Sequence, residues 1–114
     1  MASQSWAEEF NGAITVCDSE GIILDMNRKA TETFKGWGGK KLIGTNLLDC
    51  HPESARSKLK ELLETQQTNV YTIEKNDVIK LIYQAPWYVS GQFSGFVELS
   101  LVIPAQMAHF VRDE

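Results

Sequence analysis

The chain of 114 residues is long enough for one domain with a single core, and a composition of 43% hydrophobic and 23% charged residues is ordinary for a soluble protein. Eleven Lys and Arg against fifteen Asp and Glu give a net charge of -4, and the basic residues are scattered, so nucleic acid is not expected as a direct partner. No apolar run of ~18 residues and no signal peptide is evident, which predicts a cytoplasmic protein without a membrane segment.

The N-terminal flank predicts a short helix. Trp6 and Phe10 lie four residues apart in a polar stretch, so one face of a helical turn would hold both rings. We expect residues 1–11 to form this flanking helix, residues 12–104 to form the domain itself, and residues 105–114 to form a C-terminal tail.

The next elements are predicted to be a hairpin and a capped helix. β-rich runs at residues 13–17 and 21–27 are separated by DSEG, which favours a turn. Asn27 can then accept hydrogen bonds from the free N–H groups at the start of a helix that carries Ala30 and Phe34 on one face. The KGWGGKK segment that follows has three glycines and predicts irregular structure.

An amphipathic helix is predicted from Pro52 onward. Proline is well tolerated at the first helical position, because the N–H group that it lacks would be unpaired there. Apolar residues then recur at helical spacing, which gives the helix one apolar face. These residues are Ala55, Leu59, Leu62 and Leu63.

Three strands separated by short turns complete the chain. The strands are predicted at residues 69–75, 78–89 and 93–103, and the intervening turn residues favour antiparallel pairing in a meander. The whole order is strand, strand, helices and three strands. This order predicts an α+β fold, in which helices inserted after the second strand cover one face of a five-stranded antiparallel sheet.

The strand at residues 78–89 has an alternating pattern and one proline. Alternation places Tyr83 and Trp87 on the same face, where they either pack in the core or on the sheet surface, or wall a cavity if that face is the inner one. Pro86 cannot donate to the hydrogen-bond ladder, so the strand is expected to bend, bulge or lose pairing near its end.

From about residue 10 to residue 103 the chain resembles a PAS domain. The resemblance is carried by the hairpin AITVCDSEGIILDMN, the helix start NRKA, the segment KKLIG, the helix end LKELLETQQ and the last strand with GFVELSL. It implies a non-enzymatic sensor or interaction module that holds a small ligand or cofactor between sheet and helices, or that binds a protein partner, dimerises and passes a signal on. The segment CHPES is also similar to one in some bacterial PAS-type sensors whose ligand is undefined.

The resemblance also bears on flavin and haem. In the flavin-binding light sensors of the family a cysteine directly follows the asparagine of the motif G-x-N-C-R-F-L-Q, whereas Asn46 is followed here by Leu47, so a flavin photoadduct is not expected. In the haem-binding sensors the axial histidine lies within the long helix, where Ala55 stands in this chain. His51 is one turn earlier. A haem-binding gas or redox sensor with His51 as axial ligand is therefore the alternative to an unidentified small ligand.

Cys50 and His51 stand directly before the long helix. If helical geometry reaches back to His51, its ring points to the same face as Ala55 and Leu59, at the mouth of the cavity. The helix N-terminus would keep this imidazole neutral, able to donate one hydrogen bond and accept another; the alternative is that His51 bonds only to local backbone groups. Cys50 lacks an orienting partner for nucleophilic catalysis, so an enzyme is not expected. Apart from haem ligation by His51, no metal site is predicted.

The sequence thus yields a set of candidate ligand-contacting residues and a set of candidate dimer contacts. Asn27 is most simply a helix cap, and Trp37 is either a plug over the core or part of a flap. Apolar side chains in both flanks predict a homodimer, and any signal would pass to a separate output protein. The candidate pocket residues are His51, Ala55, Leu59, Tyr83, Trp87, Asn27 and Trp37. The candidate dimer contacts are Trp6, Phe10, Met107 and Phe110.

Overall fold

A computed structural model describes residues 5–50 and 53–113, apart from the side chain of Cys50. It contains two α-helices, five strands and three short 3-10 helices. The strands and α-helices are β1 (Ala13–Asp18), β2 (Ile23–Met26), α1 (Arg28–Thr33), α2 (Glu53–Thr65), β3 (Asn69–Lys75), β4 (Val78–Val89) and β5 (Gln92–Ile103). The 3-10 helices are Lys35–Trp37, Gly39–Leu42 and Leu47–Cys50.

All five strands join one antiparallel sheet in the order β2-β1-β5-β4-β3. β1 and β5 pair along six residues from each strand, so the last strand of the chain lies in the centre, beside the first. The helices connect β2 with β3, the two edges of the sheet, and therefore lie between the hairpins in sequence. The predicted α+β fold is confirmed.

Local turn chemistry explains why neighbouring strands form hairpins. A side-chain oxygen of Asp18 accepts hydrogen bonds from the backbone N–H groups of Glu20 and Ile22, both at 2.9 Å, which closes the β1–β2 turn. In the β3–β4 turn Asn76 and Asp77 have φ angles of 54° and 65°. Two consecutive residues with positive φ give a turn whose twist matches that of the strands, and Asn and Asp tolerate this conformation better than most residues.

Asn27 ties three parts of the chain together. Its buried side-chain oxygen accepts from the N–H of Ala30 at 3.0 Å and from the N–H of Ile14 at 2.9 Å. Its amide nitrogen donates to the carbonyl oxygens of Ala7 and Gly12, at 2.8 and 2.9 Å. The predicted N-cap of α1 is therefore confirmed, and the same amide also fixes β1 and the N-terminal flank.

Two segments differ from the predictions. Residues 6–9 form turns rather than the predicted flanking helix, since the backbone bonds there run from Glu8 to Ser5 and from Phe10 to Ala7, as in isolated turns. The KGWGGKK segment, predicted to be irregular, folds into the first two 3-10 helices. Gly38 at φ 113° separates them, in a conformation that side chains rarely adopt.

The predicted irregularity near Pro86 is confirmed. The β4–β5 register shifts between Trp87 and Tyr88, one residue after the proline, so that β5 contributes one residue more than β4 to this end of the ladder. A bulge of this kind lets the long hairpin bend and twist without leaving further backbone groups unpaired.

The core between sheet and helices consists of two adjoining clusters. Leu47 packs against both of them, so the 3-10 helix before α2 joins the two halves of the core. Burial of each large apolar side chain contributes about 1.5–3 kcal/mol. The first cluster holds Ala13, Ile23, Met26 and Ala30. The second holds Cys17, Leu62 and Phe96.

Among the described residues, no helix combines the length and the hydrophobicity that crossing a bilayer would need.

Candidate functional site

A cavity of about 240 Å³ lies between the helices and the sheet. Helix α2 supplies its roof through Leu59, Leu62 and Leu63, which recur at helical spacing and so share one face. The segment between the two helices closes one side with apolar residues. These are Phe34, Trp37, Leu42 and Leu47.

The sheet forms the floor of the cavity, and the floor is partly polar. Thr15 of β1 pairs in register with Glu98 of β5, and Glu98 pairs with Gln84 of β4. Gln84 in turn pairs with Asn69 of β3, so the four polar side chains form one row across four strands. The cavity wall contains the first three of these residues.

Hydrogen bonds connect three members of this polar row. The side-chain nitrogen of Asn69 donates to Oε1 of Gln84 at 2.8 Å, and Nε2 of Gln84 donates to Oε2 of Glu98 at 2.7 Å. The chain of donors therefore ends on a carboxylate, which accepts hydrogen bonds and does not donate when ionised. The row places a fixed acceptor on the floor of an otherwise apolar space.

Two titratable side chains among the described residues line this cavity, Cys17 and Glu98. Burial raises the pKa of the Cys17 thiol, and the carboxylates of Asp18 and Glu98 act in the same direction, so Cys17 stays a neutral thiol at physiological pH. Burial, followed by the Glu98 carboxylate, also raises the pKa of Tyr71, a neighbour of the row on β3. Within residues 5–50 and 53–113 no cluster of His, Cys, Asp and Glu forms a possible metal site.

The structure brings two of the seven candidate pocket residues to the cavity. Leu59 forms part of the roof, and Trp37 lies at the rim with 72% of its surface exposed. Ala55 is on the same helix but outside the lining. Asn27 does not line the cavity either, and its side-chain amide forms four hydrogen bonds, all with backbone groups. His51 lies outside the described residues.

Tyr83 and Trp87 lie on the other face of the sheet. Successive side chains of a strand point to opposite faces, and Gln84 points into the cavity, so residues 83, 85 and 87 point away from it. Trp87 donates from Nε1 to the carbonyl oxygen of Cys17 at 3.0 Å and so clamps β4 to β1 across β5. The sequence leaves open whether Tyr83 and Trp87 pack in the core or on the sheet surface or line a cavity; in the structure they pack on the sheet and do not line this cavity.

Sequence reasoning missed the polar residues of the floor. Gln84 and Glu98 carry a usable signal, since each is a strongly polar residue within a β-rich apolar run, and polar residues inside a fold need partners. Thr15 gives no such signal, because threonine is common in strands for its branched side chain alone.

The candidate dimer contacts are exposed. Trp6 is 77% exposed and packs edge to face on the Phe10 ring, with 6.0 Å between centroids. Met107 and Phe110 are 60% and 69% exposed in a tail without regular secondary structure. Both flanks thus present large apolar side chains to solvent.

Comparison with protein families matches residues 7–103 to the PAS fold. No curated protein matches the chain's sequence. Three solved structures illustrate the similarity of fold. The PAS domain of the histidine kinase ThkA superposes with a TM-score of 0.63 at 19% identity, covering 78% of this chain and 96% of that one. The PAS domain of BvgS from Bordetella pertussis gives 0.65 at 18% identity, covering 88% and 82%.

The third structure is that of the Aer2 receptor from Vibrio cholerae, described as a dual PAS-haem oxygen sensor, with a TM-score of 0.58 at 18% identity over 82% of this chain and 95% of that one. At these identities the likeness concerns the fold. The family match, by contrast, spans nearly the whole chain, from the N-terminal turns to the end of β5. The chain belongs to the PAS-fold family of sensor and signalling domains.

Proposed function

We propose that this chain is a cytoplasmic, non-enzymatic PAS module that senses a small molecule in the cavity between α2 and the sheet. The observation that carries the proposal is the cavity itself, with an apolar roof and a row of polar groups on its floor. Apolar walls with a few placed polar groups are typical of small-molecule sites. The volume of about 240 Å³ lies below the usual ~300–1,000 Å³ of such sites, so the ligand is small.

Sensing requires that binding alter the fold around the site. Helix α2 reaches the cavity through Leu59, Leu62 and Leu63, and of these only Leu62 is buried, with 5% of its surface exposed. A ligand between these side chains and the sheet would fill space that now contributes no contacts. It would therefore favour one position of α2 over others, by as much as its affinity differs between them.

Output would pass through a homodimer and a separate protein. The support for the dimer is the exposed apolar side chains of the two flanks, Trp6 and Phe10 in the N-terminal flank and Met107 and Phe110 in the C-terminal tail. Exposed apolar patches are typical of interaction sites. A two-fold symmetric pair would bury the same patch on both copies.

The haem alternative finds no support among the described residues. It depends on His51, which lies outside them, and His109 belongs to the exposed tail rather than to the cavity. A porphyrin is also much larger than a cavity of about 240 Å³.

The experiment is an NMR titration with indole, a small neutral aromatic probe, in which amide shifts of the cavity-lining residues are followed. We expect saturable shifts around Leu59 and Gln84. The variant Leu59→Phe should abolish them, because the larger ring occupies the cavity. Leu24→Phe is the matched control, since Leu24 is exposed on β2 away from the lining. Absence of saturable shifts, or shifts that persist in Leu59→Phe, would contradict the proposal.

A further inference from the structure

We propose that the cavity selects small apolar amines, whose protonated nitrogen binds the Glu98 carboxylate, and that it disfavours carboxylic acids. This inference rests on the proposed function, because it names the ligand class of the same cavity. It is carried by the direction of the hydrogen bonds in the polar row and by the charge of the lining.

The orientation of the Gln84 amide is fixed from both sides. Its oxygen accepts from Asn69 and its nitrogen donates to Glu98, and the opposite orientation would place the amide oxygen against a carboxylate oxygen. Each amide thus donates toward β5. These two consecutive hydrogen bonds hold the Glu98 carboxylate in place as the last acceptor of the row.

The Glu98 carboxylate has acceptor capacity to spare. An ionised carboxylate offers about four lone-pair sites, and the side chain of Gln84 uses one of them. No ion pair involves Glu98 within the described parts of the chain, where the two ion pairs join Arg28 to Glu9 and Lys58 to Glu61. A half-buried charge in apolar surroundings is stabilised by a counter-charge, and a ligand can supply it.

The other groups that face the cavity fit the same ligand. Among the described residues that line the cavity there is no Lys, Arg or His, so within this part of the chain nothing would compensate the repulsion between an anionic ligand and the Glu98 charge. Thr15 lies opposite Glu98 in the β1–β5 register, and its hydroxyl has no hydrogen-bond partner among the residues described here. It can accept a second N–H of the same ammonium group.

The apolar side chains of α2 select the rest of the ligand, which must be apolar where it contacts them. Leu59, Leu62 and Leu63 lie across the cavity from the polar row and offer no hydrogen bond from their side chains. A bound molecule would therefore point its amine to the sheet and its apolar body to α2. The ligand would connect the two layers, and this orientation puts the apolar part against the element that is expected to move.

The test compares three probes that share a phenyl ring and a two-carbon arm: phenethylamine, phenethyl alcohol and hydrocinnamate. Dissociation constants are measured by amide NMR titration at neutral pH and fixed ionic strength. We expect the amine to bind about 10- to 100-fold more tightly than the alcohol, the range for hydrogen bonds to a charged group, and hydrocinnamate to bind most weakly.

Two variants locate the preference. Glu98→Gln removes the charge at nearly constant shape and should abolish the advantage of the amine over the alcohol. Glu74→Gln changes the net charge equally, but Glu74 is exposed on β3 and does not line the cavity, so it should leave the advantage intact. An amine preference that persists in Glu98→Gln, or an acid that binds as tightly as the amine, would overturn the inference.

The indole titration separates this inference from the proposed function. If indole saturates the cavity while phenethylamine shows no advantage, the inference on amines fails and the sensor cavity stands. If neither indole nor any of the three probes binds, both fail.

Discussion

The Asn27 side chain offers the sharpest test of how this fold is held together. Replacement by alanine removes four hydrogen bonds at once, two accepted from the backbone N–H groups of Ile14 and Ala30 and two donated to the carbonyl oxygens of Ala7 and Gly12. Asn27 is 5% exposed, so water cannot simply take its place. The variant should be markedly less stable than the natural protein.

The size of the effect follows from which groups lose their partner. The hydrogen bonds to Ile14, Ala30 and Gly12 are buried, whereas that to Ala7 is partly exposed and its carbonyl can turn to water. At about 1 kcal/mol for each buried bond, including the N-cap, Asn27→Ala should lower the free energy of unfolding by about 3 kcal/mol. That is a large part of the ~5–15 kcal/mol that stabilises a domain.

The assay is urea denaturation followed by tryptophan fluorescence and circular dichroism. With a urea dependence of about 1–3 kcal/mol per molar, the midpoint should fall by roughly 1–3 M while the slope stays constant. Asn11→Ala is the matched control, because Asn11 is exposed and should tolerate the change. A loss below about 1 kcal/mol for Asn27→Ala would refute the reasoning, since it would mean that the bonds contribute little beyond the cap.

Three further predictions concern the cavity wall, the central strands and the flanks. Because burial raises the pKa of the Cys17 thiol above its ordinary value of 9.0, the native state retains a proton that the unfolded chain loses. The free energy of unfolding should therefore decrease as the pH rises from about 9 through the native pKa, and Cys17→Ala should make this decrease smaller; an unchanged slope would contradict the assignment. Gly95→Ala should lower the free energy of unfolding, measured by urea denaturation, by about 2 kcal/mol or more, because Gly95 has φ 136° and a methyl group there would overlap the Cys17 carbonyl oxygen. Gly36→Ala is the control, since nothing lies within 4 Å of the added methyl group, and it should be tolerated. Equal effects of the two changes would argue against the steric account. Phe110→Glu should convert the proposed dimer to a monomer, as measured by light scattering, because it places a charge in the proposed interface. Val89→Glu, at the end of β4 and also exposed, should leave the dimer intact. A dimer that persists in Phe110→Glu would show that the C-terminal tail is not part of the interface.

Most of the fold could be predicted from local chemistry. The strands at residues 69–75 and 78–89 have the predicted bounds, because the intervening Asn-Asp turn and the β-rich runs are strong signals. The N-terminal flank could not be predicted in this way. Its aromatic spacing suits a helix, but so short a segment forms too few hydrogen bonds to hold helical geometry, and residues 6–9 instead dock on Asn27 and α1 through turns.

The polar row of the cavity depends on a register that the sequence does not fix. A simple hairpin around Ser90 and Gly91 pairs Val89 with Gln92, as observed, and would carry on to pair Gln84 with Val97. The bulge beyond Trp87 moves the ladder by one residue, so that Gln84 meets Glu98 instead. Pro86 indicates that an irregularity occurs, but neither its position nor the strand that holds the extra residue follows from the proline. The candidate site therefore appears only once the strands are paired.

The same two strands serve both faces of the sheet, and this has a consequence for signalling. On β4 and β5, Gln84 and Glu98 point into the cavity, while the adjacent Tyr83, Val97 and Leu99 point to the other face. Tyr83 is 40% exposed there, so this face remains open to a partner. If a ligand bound to Glu98 displaces the β5 backbone, Val97 and Leu99 move with it, because alternate side chains share one backbone. Under the proposed function, occupancy of the cavity would then reach the outer face through the strands themselves, with no separate path around the edge of the sheet.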